Sequence, residues 1–470
     1  MKLTRSLLLG TAAGFAAVAG AQAADLPVRK AAPVEYVRVC SLGGGAFVGY
    51  VIPGSDICLR VGGFVRYQYT WNPPSNSLIN VLPGGLALPG FYGARGYNQR
   101  FSGQSATGAL VLDARTQTEY GLARAFIDMR VGEGFNESGA YIDKAWLQLG
   151  GFQAGKYQSY FDFYADAFNN IGQLGSDHSA IGAAYTAIFG NFSAAISLED
   201  YVGTDGVASS TFGSPLYYGG FPGLGVGIPG PAFGSIGGIV PGGYRVPDVV
   251  GRLLYADAWG QVQLSGALHQ VRATTFDVFG GQDDNTKYGW AVQGGVKVNT
   301  PMFGPSDALY LQAAYTEGAL LYVGANGVRG FGQSSQLTYG SDAIATGDGG
   351  SLKLTKGWNA LAAFSHTWTP TFSTAIWGGY TAVDYTGGYI TGTVDATSGI
   401  GLAGRDFHYW QAGLQANWSP IRNLTVAGTV NYVNTQAKRL AYDPIALGAD
   451  TYVRRSTDGV QFAVRVQRDF

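Results

Sequence analysis

From Val460 to Phe470 the chain reads VQFAVRVQRDF, and apart from Arg468 it alternates apolar with polar residues to its final position. Side chains in a strand point alternately to opposite sides, so Val460, Phe462, Val464, Val466 and Phe470 share one face and Gln461, Arg465, Gln467 and Asp469 the other. One face suits lipid and the other suits water. A soluble sandwich uses the same alternation, but an aromatic residue closing such a strand is the usual end of an outer-membrane barrel, and Phe470 is expected to act as the C-terminal insertion signal.

The other end of the chain agrees. Lys2 and Arg5 precede an apolar run from Leu7 to Val18 and then Ala21-Gln22-Ala23, the three parts of a secretory signal peptide over residues 1–23. That run falls short of the roughly 20 helical residues that cross a bilayer, and no later stretch replaces it. Cleavage after Ala23 leaves 28 basic against 31 acidic residues, a balance unlike that of a nucleic-acid binder. Charged residues make up only 13% of the chain while aromatics reach 13%, so neutral polar residues carry the solubility, as in a barrel that shows lipid every second residue.

Residues 24–57 lack sustained alternation and read as a periplasmic lead-in containing Cys40, with the barrel spanning 58–470. Leu59, Val61, Val65, Tyr67 and Tyr69 oppose Arg60, Arg66 and Gln68, with Phe64 the one departure on the polar side. Further strands are predicted at 107–119, 121–131, 140–149, 151–157, 180–189, 191–199, 248–257, 260–270, 287–298, 307–317, 353–368, 371–385, 405–418, 424–436 and 456–470, which makes 16 with the first. Short turns near Tyr120, Gly150–Gly151, Gly190, Ala258–Gly260, 299–306, Thr369–Pro370 and Pro420–Asn423 alternate with long connections that include 71–106, 158–179, 200–247, 318–352, 386–404 and 437–455. Short on one rim and long on the other is the topology of an all-β, 16-stranded antiparallel transmembrane barrel with periplasmic turns and extracellular loops. Tyr67, Tyr69 and Trp71, Phe189 and Phe192, Tyr255 and Trp259, Trp368 and Phe372, and Trp410 and Trp418 fall near strand ends, where a ring with a polar tip suits a membrane interface.

No motif supports catalysis. His178, His269, His366 and His408 are scattered without metal-ligand spacing, no GxSxG is present, and Gly225–Gly230 fits GxGxxG only in a Gly/Pro-rich loop that precludes the strand-to-helix step of a dinucleotide site. No cofactor or metal is expected. Cys40 and Cys58 form an even pair in an exported chain, which favours one disulfide over two buried thiols.

The informative charges sit on the polar parity of strands: Arg60, Arg66, Arg115, Arg124, Arg130, Lys144 and Arg465, with Asp113, Glu119 and Asp128 opposite in sign. An arginine facing lipid at mid-depth costs roughly 2–4 kcal/mol, so these positions call for a wet interior, either as pore-wall residues or as charges pairing across the wall. The segment 158–179 carries Asp162, Asp166 and Asp177 and no basic residue. It follows the fifth strand, where a 16-stranded barrel is expected to fold a loop inward as a constriction, and its acids would then face the wall arginines across a transverse field. A solvated outer loop is the alternative.

The stretches EYVRVC (Glu35–Cys40), IPGSDICLRVGGFVRY (Ile52–Tyr67), WLQLGGFQAG (Trp146–Gly155), PDVVGRLLYADAWG (Pro247–Gly260) and VRVQRDF resemble the porins of alphaproteobacteria, the rhizobial and Brucella type. The resemblance implies a homotrimer in the outer membrane, in contact with lipid and lipopolysaccharide, each protomer a pore for small hydrophilic solutes that catalyses nothing. Carried over, Asp162 and Asp166 are loop-side constriction residues with Asp177 beside them, Arg66, Arg115, Arg124, Arg130 and Arg465 stand on the wall, and the Cys40–Cys58 disulfide is implied as well. A sugar- or anion-selective channel of the same fold is the alternative, suggested by Tyr157, Tyr160, Phe161, Phe163 and Tyr164 as an aromatic row. An outer-membrane hydrolase and a surface-structural barrel follow it.

Overall fold

Alternation at period two produces sixteen long strands, each pairing antiparallel with the next. The computed structural model describes residues 38–42, 47–71, 102–135, 137–172, 174–201, 239–241, 245–276, 282–325, 342–345, 352–384, 406–437 and 456–470. The strands are β1 (Cys58–Trp71), β2 (Ser102–Thr118), β3 (Gly121–Gly134), β4 (Glu137–Leu149), β5 (Phe152–Gln158), β6 (Ser179–Phe189), β7 (Phe192–Tyr201) and β8 (Asp248–Asp257). They continue as β9 (Gly260–Phe276), β10 (Gln282–Asn299), β11 (Ala308–Glu317), β12 (Lys356–Thr369), β13 (Phe372–Asp384), β14 (Phe407–Ile421), β15 (Leu424–Ala437) and β16 (Ser456–Asp469). The last strand returns to the first, Phe462 opposite Trp71 through Asp469 opposite Phe64, and this pairing closes the cylinder. The signal segment 1–23 and most of the 200–247 loop lie outside the described residues.

Closure separates two faces. Along β9, Val262, Leu264 and Leu268 are exposed while Gln263, Ser265, Ala267 and His269 are buried, and along β1 Val61, Val65 and Tyr67 are exposed opposite Arg60 and Arg66. Trp71, Phe189, Phe192, Tyr255, Trp259, Trp368, Phe372, Trp410 and Trp418 are all exposed, as a membrane-interface role requires. One rim keeps tight turns at 119–120, 150–151, 190–191, 258–259, 370–371 and 422–423. The other is less uniformly long than expected, since only residues 135–136 separate β3 from β4 and 277–281 separate β9 from β10. At both places the strands run past the predicted ends.

The lead-in also departs from expectation. Val39–Ser41 and Val48–Val51 form a hairpin whose second strand pairs Tyr50 with Leu59 and Val51 with Cys58. The reason lies at the seam. The backbones of Gly63 and Phe470 exchange two hydrogen bonds, at 3.2 and 3.0 Å, and β16 goes no further, so the first residues of β1 would present an unpaired edge without the hairpin. The Cys40–Cys58 disulfide is present and ties the hairpin to β1 across 18 residues of sequence.

Replacing both cysteines by serine is expected to lower stability by about 3 kcal/mol, the chain-entropy value for a loop of this size, read as a lower unfolding temperature with the barrel still closed. Gly63→Leu is expected to be more damaging. A Cβ there would stand 2.1 Å from the Ala109 carbonyl oxygen and 2.9 Å from Phe470 Cζ, so heat-modifiable electrophoretic mobility, the mark of a closed barrel, should be lost.

Candidate functional site

The inner face of β1–β4 and β16 gathers the charges. Asp113 on β2 is fully buried and receives Arg124 through two hydrogen bonds, at 2.8 and 2.9 Å, and Arg115 through two more, at 3.1 and 2.8 Å. Arg60 approaches the same carboxylate at 3.5 Å. Cross-strand register explains the grouping, because Arg60 lies opposite Asp113 and Arg115 lies opposite Arg124. The guanidinium of Arg115 also stacks 3.9 Å from the ring centre of Phe47, and that of Arg124 lies 4.5 Å from Trp146. Arg130 pairs with Asp128 at 2.8 Å and with Asp143 at 2.9 Å; Asp143 reaches it because the β3–β4 register shifts between Asp128 and Met129.

Arg66 and Arg465 differ. Arg66 donates to the Gln467 amide oxygen at 2.9 Å, and Arg465 donates to Gln68 at 2.7 Å and to Asn170 Oδ1 at 2.7 Å. Among the described residues neither guanidinium is in an ion pair. Phe64, the departure from alternation, lies under this pair of strands with Arg66 at 4.5 Å and Arg130 at 5.5 Å from its ring centre, so its inward position is a cation–π platform. Glu119 falls in the exposed turn after β2, where strand parity no longer fixes its direction.

The segment between β5 and β6 is hydrogen-bonded to buried side chains on strands far from its own. The Phe161 carbonyl accepts from Gln293 at 2.6 Å, Ser265 at 2.8 Å and Gln263 at 3.2 Å; Tyr164 N–H donates to Gln312 at 3.0 Å and Asn170 N–H to Gln415 at 2.9 Å. With Arg465, these anchors run from β9 through β10, β11 and β14 to β16. The expected constriction acids are engaged locally. Asp162 accepts from Gln158 at 2.6 Å and from His178 N–H at 2.9 Å, Asp177 accepts from the same Gln158 amide at 2.9 Å, and Asp166, with φ of 51°, accepts from Leu174 N–H at 3.3 Å. Ser159 and the Tyr160 N–H are held by Glu199 at 2.6 and 3.0 Å. Glu199 was not singled out in the sequence, although its inward parity near the end of β7 marked it. Tyr157, Tyr160, Phe161 and Tyr164 are buried, so they pack the segment in place and do not form an open aromatic row.

Burial raises the pKa of Asp166, with Asp177 adding to it, and burial together with Asp162 raises that of Asp177. At His178 burial opposes the charged form, but the Asp162 carboxylate outweighs it, with Glu199 and Asp177 contributing, and the pKa rises above its ordinary 6.5. A raised imidazole pKa stabilises the folded segment fully below 6.5 and loses that contribution as pH rises through the raised value. The two carboxyls act in the same sense, because their protonated forms are favoured in the fold. Amide exchange across 159–178, corrected for its intrinsic pH dependence, should therefore be slowest in acid and accelerate above pH 6.5; a flat profile would count against this ionisation scheme. Asp113→Asn leaves three guanidiniums around a neutral amide and should cost about 2 kcal/mol of barrel stability, less than the roughly 3–5 kcal/mol of a fully buried broken pair because the arginines are partly hydrated.

A family model described as the porin subfamily matches residues 25–458. Porin Omp2b of Brucella suis is 31% identical over 280 residues, 55% of this chain and 64% of that protein, and porin Omp2b of Brucella melitensis biotype 1 is 30% identical over 276 residues with the same coverage. These matches span less than two thirds of the relatives' own length. The outer membrane channel DcaP of Acinetobacter baumannii shares the fold, with a TM-score of 0.58 at 14% identity over 90% of this chain and 99% of that one. The family match runs through nearly all sixteen strands, and the chain belongs to the porin subfamily as a β-barrel of the bacterial outer membrane.

Proposed function

We propose that the chain is a water-filled channel through which small hydrophilic solutes and ions diffuse down their gradients and that it catalyses no reaction, a reading that membership of the porin subfamily supports. The observation that carries this reading is the division of the closed sheet into an exposed apolar exterior and an inner face rich in charged and amide side chains, with Val250, Leu361 and Trp377 among the apolar residues on it. In this reading the segment 158–179 folds into the lumen as the constriction. The path then runs between it and the arc that bears Arg66, Arg115, Arg124, Arg130 and Arg465. Asp162 contributes negative potential from behind the segment's surface, while Asp166 and Asp177 serve first to hold its shape. Cleavage after Ala23 and export across the inner membrane complete the reading.

The assembly is a homotrimer surrounded by lipid and lipopolysaccharide. Its support is the outward face of β2–β4, where Leu110, Met129, Val131, Ile142, Leu147 and Leu149 are exposed and, among the described residues, Tyr120 in the β2–β3 turn is the exposed aromatic. A face so poor in interfacial rings suits protein better than a lipid headgroup layer.

Single-channel recording in planar bilayers tests the function. Ohmic steps in groups of three are expected, and a protein that inserts but does not conduct would overturn the reading. Arg66→Gln with Arg465→Gln is expected to change conductance by less than about twofold while moving the reversal potential under a salt gradient toward cation preference, because these two cations face the lumen without ion-pair partners.

A further inference from the structure

A second segment lies on the inner side of the barrel. After β11 the chain turns at Gly318 and forms a single 3₁₀ turn, Leu320–Val323, followed by Gly324 in the left-handed region with φ of 72°. Ala319, Leu320, Tyr322, Val323 and Ala325 are each no more than 1% exposed, which is burial beyond what a surface loop needs. What buries them is the wall and the segment 158–179. Tyr322 packs on Phe161 with ring centres 4.5 Å apart and edge-on to His178 at 5.6 Å. Leu320 and Val323 lie against Gly357 of β12, where a Cβ would stand 2.9 and 3.2 Å from their side chains. The Gly324 carbonyl accepts from Tyr409 of β14 at 3.0 Å.

The segment is held by a polar network that the channel reading has not used. His269, on the inner parity of β9, places Nδ1 at 2.7 Å from Asp248 Oδ1 and Nε2 at 3.6 Å from Asp342 Oδ2. The other oxygen of Asp248 accepts from the Tyr322 hydroxyl at 2.7 Å, and Asp342 Oδ1 accepts from Leu320 N–H at 2.6 Å. Backbone bonds from Gly318 N–H to Thr355 and from Thr355 N–H to Asp342, at 2.7 and 2.9 Å, complete the tie. One imidazole thus joins two carboxylates that grip the two ends of the same 3₁₀ turn. Four polar groups brought together in a buried place are costly unless they satisfy one another, so the arrangement favours one position of the segment.

We propose that residues 319–325 are a second constriction element, latched to the wall by His269 between Asp248 and Asp342 and stacked on 158–179 from the long-loop side. This rests on the channel reading. Its consequence is a lopsided lumen: the arc from β8 to β14 is filled by two stacked segments, the first of which reaches Arg465 of β16, and the permeation path is pressed toward the arginine-bearing arc of β1–β4. A solute entering from the long-loop rim passes the 3₁₀ turn before it reaches 158–179.

The test compares wild type with His269→Gln on the wall and with Leu320→Ser/Tyr322→Ser in the segment, which alters no strand residue. Closed barrels are verified by heat-modifiable mobility, single-channel conductance is measured in planar bilayers, and entry of mono-, di- and trisaccharides is followed by swelling of proteoliposomes. Release of the latch should raise conductance by about 1.5-fold and admit a larger sugar than wild type passes, with the two variants agreeing. Closed variants with wild-type conductance and sugar cut-off would overturn the proposal. If His269→Gln does not fold, the loop-side variant decides alone. A silent wild-type protein would overturn the channel reading instead, and so the two failures are distinguishable.

Discussion

Everything in this molecule depends on closure of the sheet. In lipid an unpaired backbone N–H or C=O has no water to turn to and costs several kcal/mol, so the sheet has to end on itself. The seam where β16 meets β1 does this through the register Phe462 to Asp469 against Trp71 to Phe64, finished by the reciprocal bonds of Gly63 and Phe470. The N-terminal hairpin takes over where β16 stops, and the Cys40–Cys58 bond keeps it there. Only after closure do the two faces acquire fixed environments, one apolar and one enclosed.

The enclosed face is then divided by chemistry. From β9 to β15 it mixes apolar residues such as Leu361 and Trp377 with amides and hydroxyls, Gln263, Gln293, Gln312 and Gln415 among them, and these offer donors and acceptors to a backbone laid across them. Residues 159–178 supply that backbone, and 319–325 pack on top through Tyr322 and Phe161. From β16 to β4 the wall carries guanidiniums instead. Most are ion-paired, three of them sharing Asp113 and Arg130 lying between Asp128 and Asp143, so that the excess positive charge of the first cluster is partly offset by the second, while Arg66 and Arg465 are held by amides. The unneutralised pair should contribute more to ion preference than its number suggests, since the paired charges largely cancel at the distance of a passing ion.

This division also changes the meaning of the acids between β5 and β6. A carboxylate bound by Gln158 and the His178 backbone, as Asp162 is, fixes geometry first and supplies field second. His178 and the raised carboxyls of Asp166 and Asp177 make the segment's order depend on protons.

Sequence alone determined the strand count, most strand boundaries to within about two residues, the inward parity of Arg66, Arg115, Arg124, Arg130 and Arg465, and the rims marked by aromatics, because these follow from a period of two and the length of a bilayer crossing, whereas the ends at Ser102, Phe276 and Gln282 lie well beyond the expected ones. The pairing of Cys40 with Cys58 was legible from count and compartment. Where parity lapsed, so did legibility: Glu119 sits in a turn, Asp143 in a register shift, and Phe64 faces inward because cations stack on it. Only the tertiary structure decided that Glu199 holds the start of one segment, that Asp162 is a brace, and that Asp248, His269, Asp342 and Tyr322 converge. These contacts join residues up to 74 positions apart across a curved wall. Strand periodicity says which side a residue faces, but which distant residue it meets there is fixed by barrel curvature and by the paths of the connections, and neither is written in any local stretch of sequence.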